Sequence, residues 1–262
     1  FQWLKTLSAY GFGGLLADDM GLGKTVQVLA YLRSEQAQGK QSLVVCPASL
    51  LLNWQDEAGR FAPQLNCAPI YGSKPERKKC LEDAQDADLL VTSYDYLKRD
   101  QELYAERFFD TVILDEAQYI SNPRTKNAQT VKQLRCRQRF ALSGTPIENT
   151  LTELWSIYDF LLPGYLYTYS YFSATFERPI VKEQDAKMTA RLQRLVRPFL
   201  LRRTKQEVLS ELPDKEEHIL YFELEKKEKE LYLADAANVR AKIEQQQTPT
   251  QDTIAILALI TR

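Results

Sequence analysis

The run Asp18-Asp19-Met20-Gly21-Leu22-Gly23-Lys24-Thr25 has the residue types and spacing to hold a phosphate chain. It follows an apolar stretch at residues 13–17 and opens a helical pattern predicted over residues 24–38. In that setting backbone N–H groups converge on an anion, and the helix N-terminus adds a favourable dipole. Gly21 and Gly23 let the backbone approach closely without a side chain in the way. Lys24 is expected to reach the β- and γ-phosphates and the Thr25 hydroxyl to hold Mg²⁺. The strict P-loop pattern has glycine six positions before the lysine; Asp18 stands there instead. The bland alternative is a glycine turn before a helix with an exposed lysine.

A second acidic signal is Val112-Ile113-Leu114-Asp115-Glu116-Ala117-Gln118. A carboxylate pair directly after a buried strand suits a Mg²⁺–nucleotide site, with Asp115 on the metal and Glu116 orienting and deprotonating the attacking water. Alone, such a pair often does no more than mark a strand end. Residues 143–146, with Ser143, Gly144 and Thr145, form a polar turn that could hydrogen-bond the acidic loop and sense its state. Pro47 and Ser49, and Thr92, Ser93 and Tyr94, could offer hydroxyls and helix-start amides to nucleic-acid phosphates, with helix capping as the plain alternative.

The elements that must position these groups are short, continuous apolar runs at residues 13–17, 43–46, 68–71, 88–92, 111–114 and 139–142, separated by helix-like stretches. Continuous rather than alternating runs predict strands covered on both faces. Their alternation with helices predicts an α/β fold with a parallel sheet, in which every strand C-terminus lies on one edge, where ligands bind. All five polar segments follow a predicted strand, so they should meet on that rim. Beyond residue 151 helical patterns take over, with aromatic-rich turns expected over 163–176. An amphipathic helix is expected over 187–197, with Met188, Leu192, Leu195 and Val196 on one face and Pro198 ending it. A returning strand over 216–224 and a charged helix over 225–245 complete the prediction.

The 262 residues carry a formal net charge of −1, so any nucleic-acid contact must be local rather than a globally basic face. The four cysteines form no CxxC pair and there is one histidine, which argues against a structural zinc site or a disulfide framework and leaves a reducing cytoplasm as the expected compartment. The apolar runs are too short to span a bilayer, no signal peptide opens the sequence, and no membrane role is expected. The absence of an initial Met and the apolar pattern at Arg262 suggest a piece of a longer chain.

Together these segments resemble the SWI/SNF-type branch of helicase superfamily 2. The matching stretches are LLADDMGLGKTVQ (15–27), LVVCPASLLLNW (43–54), LLVTSYDYL (89–97), VILDEAQYISN (112–122), ALSGTPIENTLTELWSIYDFLLPG (141–164) and PFLLRRTKQEVLSELPDK (198–215), in the family's order. The resemblance implies a RecA-like parallel sheet with helices on both faces plus a helical protrusion. It implies an ATP-binding lobe over 1–162, a protrusion with the RRTK segment over 163–215, and over 216–262 the start of the stretch leading to a second RecA-like lobe. It further implies a DNA-dependent ATPase using ATP and Mg²⁺, with double-stranded DNA and a DNA-bound protein as partners, in the cytoplasm or, in a eukaryote, the nucleus. Ser143, Gly144 and Thr145 would couple hydrolysis to motion together with Gln118, which stands where the family usually has His. The family's adenine-reading glutamine, which lies upstream of the first helix, is missing from the sequence or cut off before Phe1. Arg202, Arg203 and Lys205 could face DNA or anchor the protrusion; Glu207 and Glu211 as nearby partners favour the anchor. A strand-separating helicase, a nucleotide switch without motor activity, and a plain binding module are the competing expectations.

Overall fold

The computed structural model describes residues 1–37, 39–144, 150–208, 229 and 232–234. The chain divides into two units, Phe1–Glu211 and Leu212–Arg262, and everything below concerns the first. Seven strands are described: β1 (Gly14–Leu16), β2 (Ser42–Cys46), β3 (Cys67–Pro69), β4 (Leu89–Ser93), β5 (Phe108–Leu114), β6 (Arg135–Leu142) and β7 (Leu200–Leu201). They form one sheet in the order β3-β4-β2-β5-β6-β1-β7, with every pairing parallel.

The continuous apolar runs follow from burial on both faces. Alternate residues divide between two cores: Leu16, Val44, Cys46, Val91, Ile113 and Phe140 pack on one side, and Leu15, Leu43, Val45, Leu90, Val112 and Leu114 on the other. The helices Gln2–Ala9, Lys24–Glu35 and Leu51–Phe61 cover the first face through Leu4, Leu29 and Trp54. The helix Lys126–Lys132 covers the second through Ala128 and Val131. Among the described residues no helix is long and apolar enough to cross a membrane.

Three expectations need correction. The helix that opens at Lys24 stops at Glu35, where Gln36 turns to ψ 128°. The stretch expected as aromatic turns is largely helical from Tyr169 onward. Thr168 caps Tyr169–Phe172, a π-helical turn follows at Ser173–Glu177, and Arg178–Glu183 continues it, with Phe172 and Phe176 buried. The strand β7 was not expected; two residues are too few to carry a pattern, and only pairing beside β1 defines it. The amphipathic helix runs over Ala186–Val196, capped by Asp185, and buries Leu192 and Val196. The expected strand over 216–224 lies outside the described residues, as does all but a few residues of the expected helix over 225–245.

Candidate nucleotide site

Strand β1 delivers the glycine loop to the C-terminal rim of the sheet, and the helix Lys24–Glu35 starts directly after it. Gly21 and Gly23 sit at φ 87° and 73°, the left-handed region that a side chain at either position would strain. Both glycines are exposed there. The Lys24 ammonium lies across the loop, donating to the Asp18 carbonyl at 2.7 Å and the Asp19 carbonyl at 3.4 Å. Gly144, after β6, closes over this group: a Cβ there would meet Met20 Cγ at 2.9 Å and Lys24 Nζ at 3.8 Å.

Asp115, at the end of β5, is buried, 9% exposed. Its Oδ1 accepts the Glu116 N–H at 2.9 Å and its Oδ2 accepts the Trp54 indole N–H at 2.8 Å. Burial raises its carboxyl above the ordinary value, opposed by the indole bond and more weakly by the Lys24 charge. Glu116 adopts φ 51° and ψ 60°, a strained backbone for a non-glycine residue that aims its side chain out of the strand line. Gln118 Nε2 donates to Glu116 Oε2 at 2.7 Å, and Ser143 Oγ donates to Gln118 Oε1 at 3.0 Å. A Ser143–Gln118–Glu116 chain therefore links the end of β6 to the acidic loop, and an amide serves as the link. Thr145 and Pro146 lie outside the described residues.

Asp18 holds the glycine-loop position for a reason invisible in the motif. Its side chain is fully buried and points away from the loop opening. It accepts from the Arg203 backbone N–H and Nε at 3.1 Å each, from Arg203 Nη2, and from Gln27 Nε2 at 3.3 Å. Asp19 Oδ2 accepts the Lys205 N–H at 3.0 Å. Arg203 and the Lys205 N–H thus tie the RRTK segment to the loop acids rather than to Glu207, while Arg202 is exposed. Glu207 instead closes a capping box with Thr204, at 2.8 and 3.3 Å.

The rim segment after β4 lies deeper than that after β2. Thr92, Ser93 and Tyr94 are buried. The Thr92 hydroxyl accepts from Tyr104 at 3.2 Å, Ser93 Oγ caps the Tyr96 N–H at 3.1 Å, and the Tyr94 hydroxyl donates to the Asp115 carbonyl at 2.8 Å. Their hydroxyls are all engaged inside the lobe. Pro47 is half-buried and Ser49 exposed on the turn after β2.

The set fits Mg²⁺ in one specific way. Among the described residues no group of three or more His, Cys, Asp or Glu gathers to hold a metal. Mg²⁺ characteristically uses one or two carboxylates and completes its octahedron with substrate phosphates and water. A buried Asp115 and, at the helix start after the glycine loop, the Thr25 hydroxyl are oxygen donors of the hard type that Mg²⁺ takes.

A parallel sheet with a glycine loop after β1, an acidic pair after β5 and a Ser-Gly turn after β6 defines the RecA-like P-loop class. Residues 1–261 match the SNF2-related domain, and the chain belongs to that family. It is 43% identical over 237 residues to a candidate ATP-dependent helicase/translocase of Bacillus subtilis, YwqA, covering 88% of this chain and 26% of that protein. It is 37% identical over 281 residues to human TATA-binding protein-associated factor 172, covering 97% of this chain and 15% of the factor. The solved Sulfolobus solfataricus SWI2/SNF2 ATPase core in complex with dsDNA superimposes with a TM-score of 0.73 at 38% identity, over 99% of this chain and 55% of that one. The chain thus spans only a part of each of these relatives.

Proposed function

We propose that this chain is the nucleotide-binding lobe of an ATP-dependent translocase that moves along double-stranded DNA, completed by a second RecA-like lobe. The observation that carries the reading is the meeting of three rim segments. Lys24 lies between the glycine loop and Gly144, while Ser143 reaches Glu116 through Gln118. Residues 1–162 would form the lobe, 163–215 the protrusion and anchor, and 216–262 the start of the stretch toward the second lobe.

Loop amides from Gly21 to Thr25 would cradle the ATP phosphates, and Lys24 would leave the loop carbonyls for the β- and γ-oxygens. Thr25 and Asp115 would hold Mg²⁺, which when bound offsets the charge of the phosphate oxygens. Glu116 accepts the proton of the water that attacks the γ-phosphorus, while the bond from phosphorus to the bridging β–γ oxygen breaks and ADP leaves. Gln118 fixes the Glu116 carboxylate, and Ser143 carries its position to the end of β6. Arginines from the second lobe would complete charge stabilisation, a contribution of about 10³ to 10⁵ in rate in related phosphoryl transfer.

Duplex DNA as the track is supported by the Sulfolobus solfataricus relative, whose ATPase core was solved in complex with dsDNA. A DNA-bound protein as the object moved is supported by the naming of the TATA-binding protein-associated relatives. The exposed Ser49 and the half-buried Pro47 would supply the rim contact. The similarity to YwqA, named for a helicase as well as a translocase, supports strand separation as the second reading. The location follows the host: cytoplasm in a prokaryote, nucleus in a eukaryote.

The test uses the complete two-lobed protein. ATP turnover is measured with duplex DNA, single-stranded DNA and RNA, and a short fork reports unwinding. Turnover stimulated by duplex without fork opening is expected; stimulation by RNA alone, or efficient fork opening, overturns the translocase reading. Lys24→Ala and Glu116→Gln should both abolish turnover, and only the first should lose nucleotide affinity. Equal ATP binding by the two would refute the assigned roles.

A further inference from the structure

The acidic residue expected at the metal is held from two directions by aromatic side chains that enter from the helices after β2 and β4. Trp54, 1% exposed, donates its indole N–H to Asp115 Oδ2 at 2.8 Å. Tyr94, 3% exposed, donates its hydroxyl to the Asp115 main-chain carbonyl at 2.8 Å. Each is the buried end of a rim element. Trp54 lies in the first turn of the helix Leu51–Phe61, one turn beyond the 3₁₀ turn Ala48–Leu50 that carries the exposed Ser49. Tyr94 opens the helix Tyr94–Arg99, whose start is capped by Ser93 at the end of β4. Tyr94 also stacks on Tyr119 at 5.0 Å with the planes 8° apart, and so touches the acidic loop a second time.

We infer that Trp54 and Tyr94 are positioning residues that couple the rim segments after β2 and β4 to the geometry of Asp115. One fixes the carboxylate and the other fixes the backbone that carries it. The coupling half of this claim rests on the translocase reading above; the positioning half does not. A carboxylate with one oxygen tied to an indole has one orientation rather than several. A rigid-body shift of the Pro47–Leu50 turn moves Trp54 with its helix, and the N–H must carry Oδ2 along or release it. A nucleic-acid backbone pressing on Ser49 would therefore change how Asp115 presents its oxygens. The outer partners of metal ligands, when removed, characteristically cost about 10- to 100-fold in metal affinity.

The experiment uses the complete two-lobed protein and its Trp54→Phe and Tyr94→Phe variants. Each variant deletes one hydrogen-bond donor and keeps an aromatic ring. Binding of a fluorescent ATP analogue is titrated in EDTA and then across a Mg²⁺ series, and ATP turnover is measured with and without duplex DNA. The expected result for Trp54→Phe is EDTA-condition affinity within about twofold of the parent and a Mg²⁺ midpoint raised about tenfold, equivalent to about 1.4 kcal/mol. The ratio of DNA-stimulated to basal turnover should fall as well. A Mg²⁺ midpoint within about twofold of the parent in both variants overturns the positioning role. If Trp54→Phe does not fold, Tyr94→Phe decides by the same midpoint. A parent protein that duplex DNA does not stimulate overturns the coupling half together with the translocase reading, and leaves the midpoint shift to decide positioning. A shifted midpoint with an unchanged stimulation ratio keeps positioning and overturns coupling alone.

Discussion

Replacing Arg203 with alanine should loosen the glycine loop from a distance of 185 residues along the chain. Arg203 supplies two side-chain donors to a carboxylate with no solvent exposure, through Nε at 3.1 Å and through Nη2, and it also donates to Gln27 Oε1 at 2.9 Å. Removing one member of a buried pair costs about 3–5 kcal/mol because the other charge is left without compensation. The expected cost here is lower, about 2–3 kcal/mol, for two structural reasons. The Arg203 side chain is 41% exposed, and exposure screens its share of the attraction. In the alanine variant Asp18 also keeps the backbone N–H of residue 203 and the Gln27 amide. For a unit of this size about 2–3 kcal/mol lowers Tm by about 4–12 °C.

The decisive measurement is a double-mutant cycle with Asp18→Asn, read by urea unfolding of the single variants, the double variant and the parent. If the guanidinium acts through the Asp18 charge, Arg203→Ala should cost about 1.5 kcal/mol less in the Asp18→Asn background, since neighbouring partners couple by about 0.5–3 kcal/mol. Additivity within about 0.5 kcal/mol would refute the pairing as the origin of the anchor. The same pair predicts that Asp18→Gly, which restores the common P-loop residue, destabilises the lobe, because the Arg203 donors lose their acceptor.

Four further outcomes are expected. Gln118→Ala should lower turnover by about 10- to 100-fold with nucleotide affinity retained, because Glu116 loses its only described side-chain donor within the loop; Gln118→Glu should be worse, placing a second carboxylate where the amide now donates at 2.7 Å. Arg77→Ala should cost about 3–5 kcal/mol by urea unfolding, since Arg77 and Asp100 are 5% and 1% exposed and share two hydrogen bonds of 2.5 and 2.9 Å. Glu76→Ala should cost about 1 kcal/mol by opening the Ser73–Glu76 capping box at the start of Lys74–Asp83. On the acid side, burial works against the Asp110 charge, but Arg137 at 2.9 Å and Lys40 more than offset it, and its carboxyl lies below the ordinary value. The folded state then binds fewer protons than the unfolded one between the two pKa values, so this stability is complete above about pH 4 and is lost as pH falls through the folded value; Asp110→Asn should flatten the acid limb of a Tm–pH profile.

Much of the site was legible in the residue order because it is local. A glycine loop between a strand and a helix, and an acidic pair after a strand, each lie within one short stretch. In a parallel sheet, following a strand is enough to place a segment on the ligand rim. Ser143 and Gln118 could be paired in the same way, since β5 and β6 are neighbours. The burial of the hydroxyls at Thr92, Ser93 and Tyr94 was not legible, because the sequence does not say which face of the rim a side chain takes.

Sequence by itself determined strands β1 to β6, the glycine loop and the acidic pair, since apolar runs, glycines and carboxylates act over a few neighbouring residues. Tertiary structure alone decided why aspartate replaces glycine at position 18 and what holds Asp115 still. Those answers depend on Arg203 arriving beside β1 through a two-residue strand, and on Trp54 crossing to a carboxylate 61 positions away. A hydrogen bond is set by where two groups lie in space, and strand order, not chain order, brings these together.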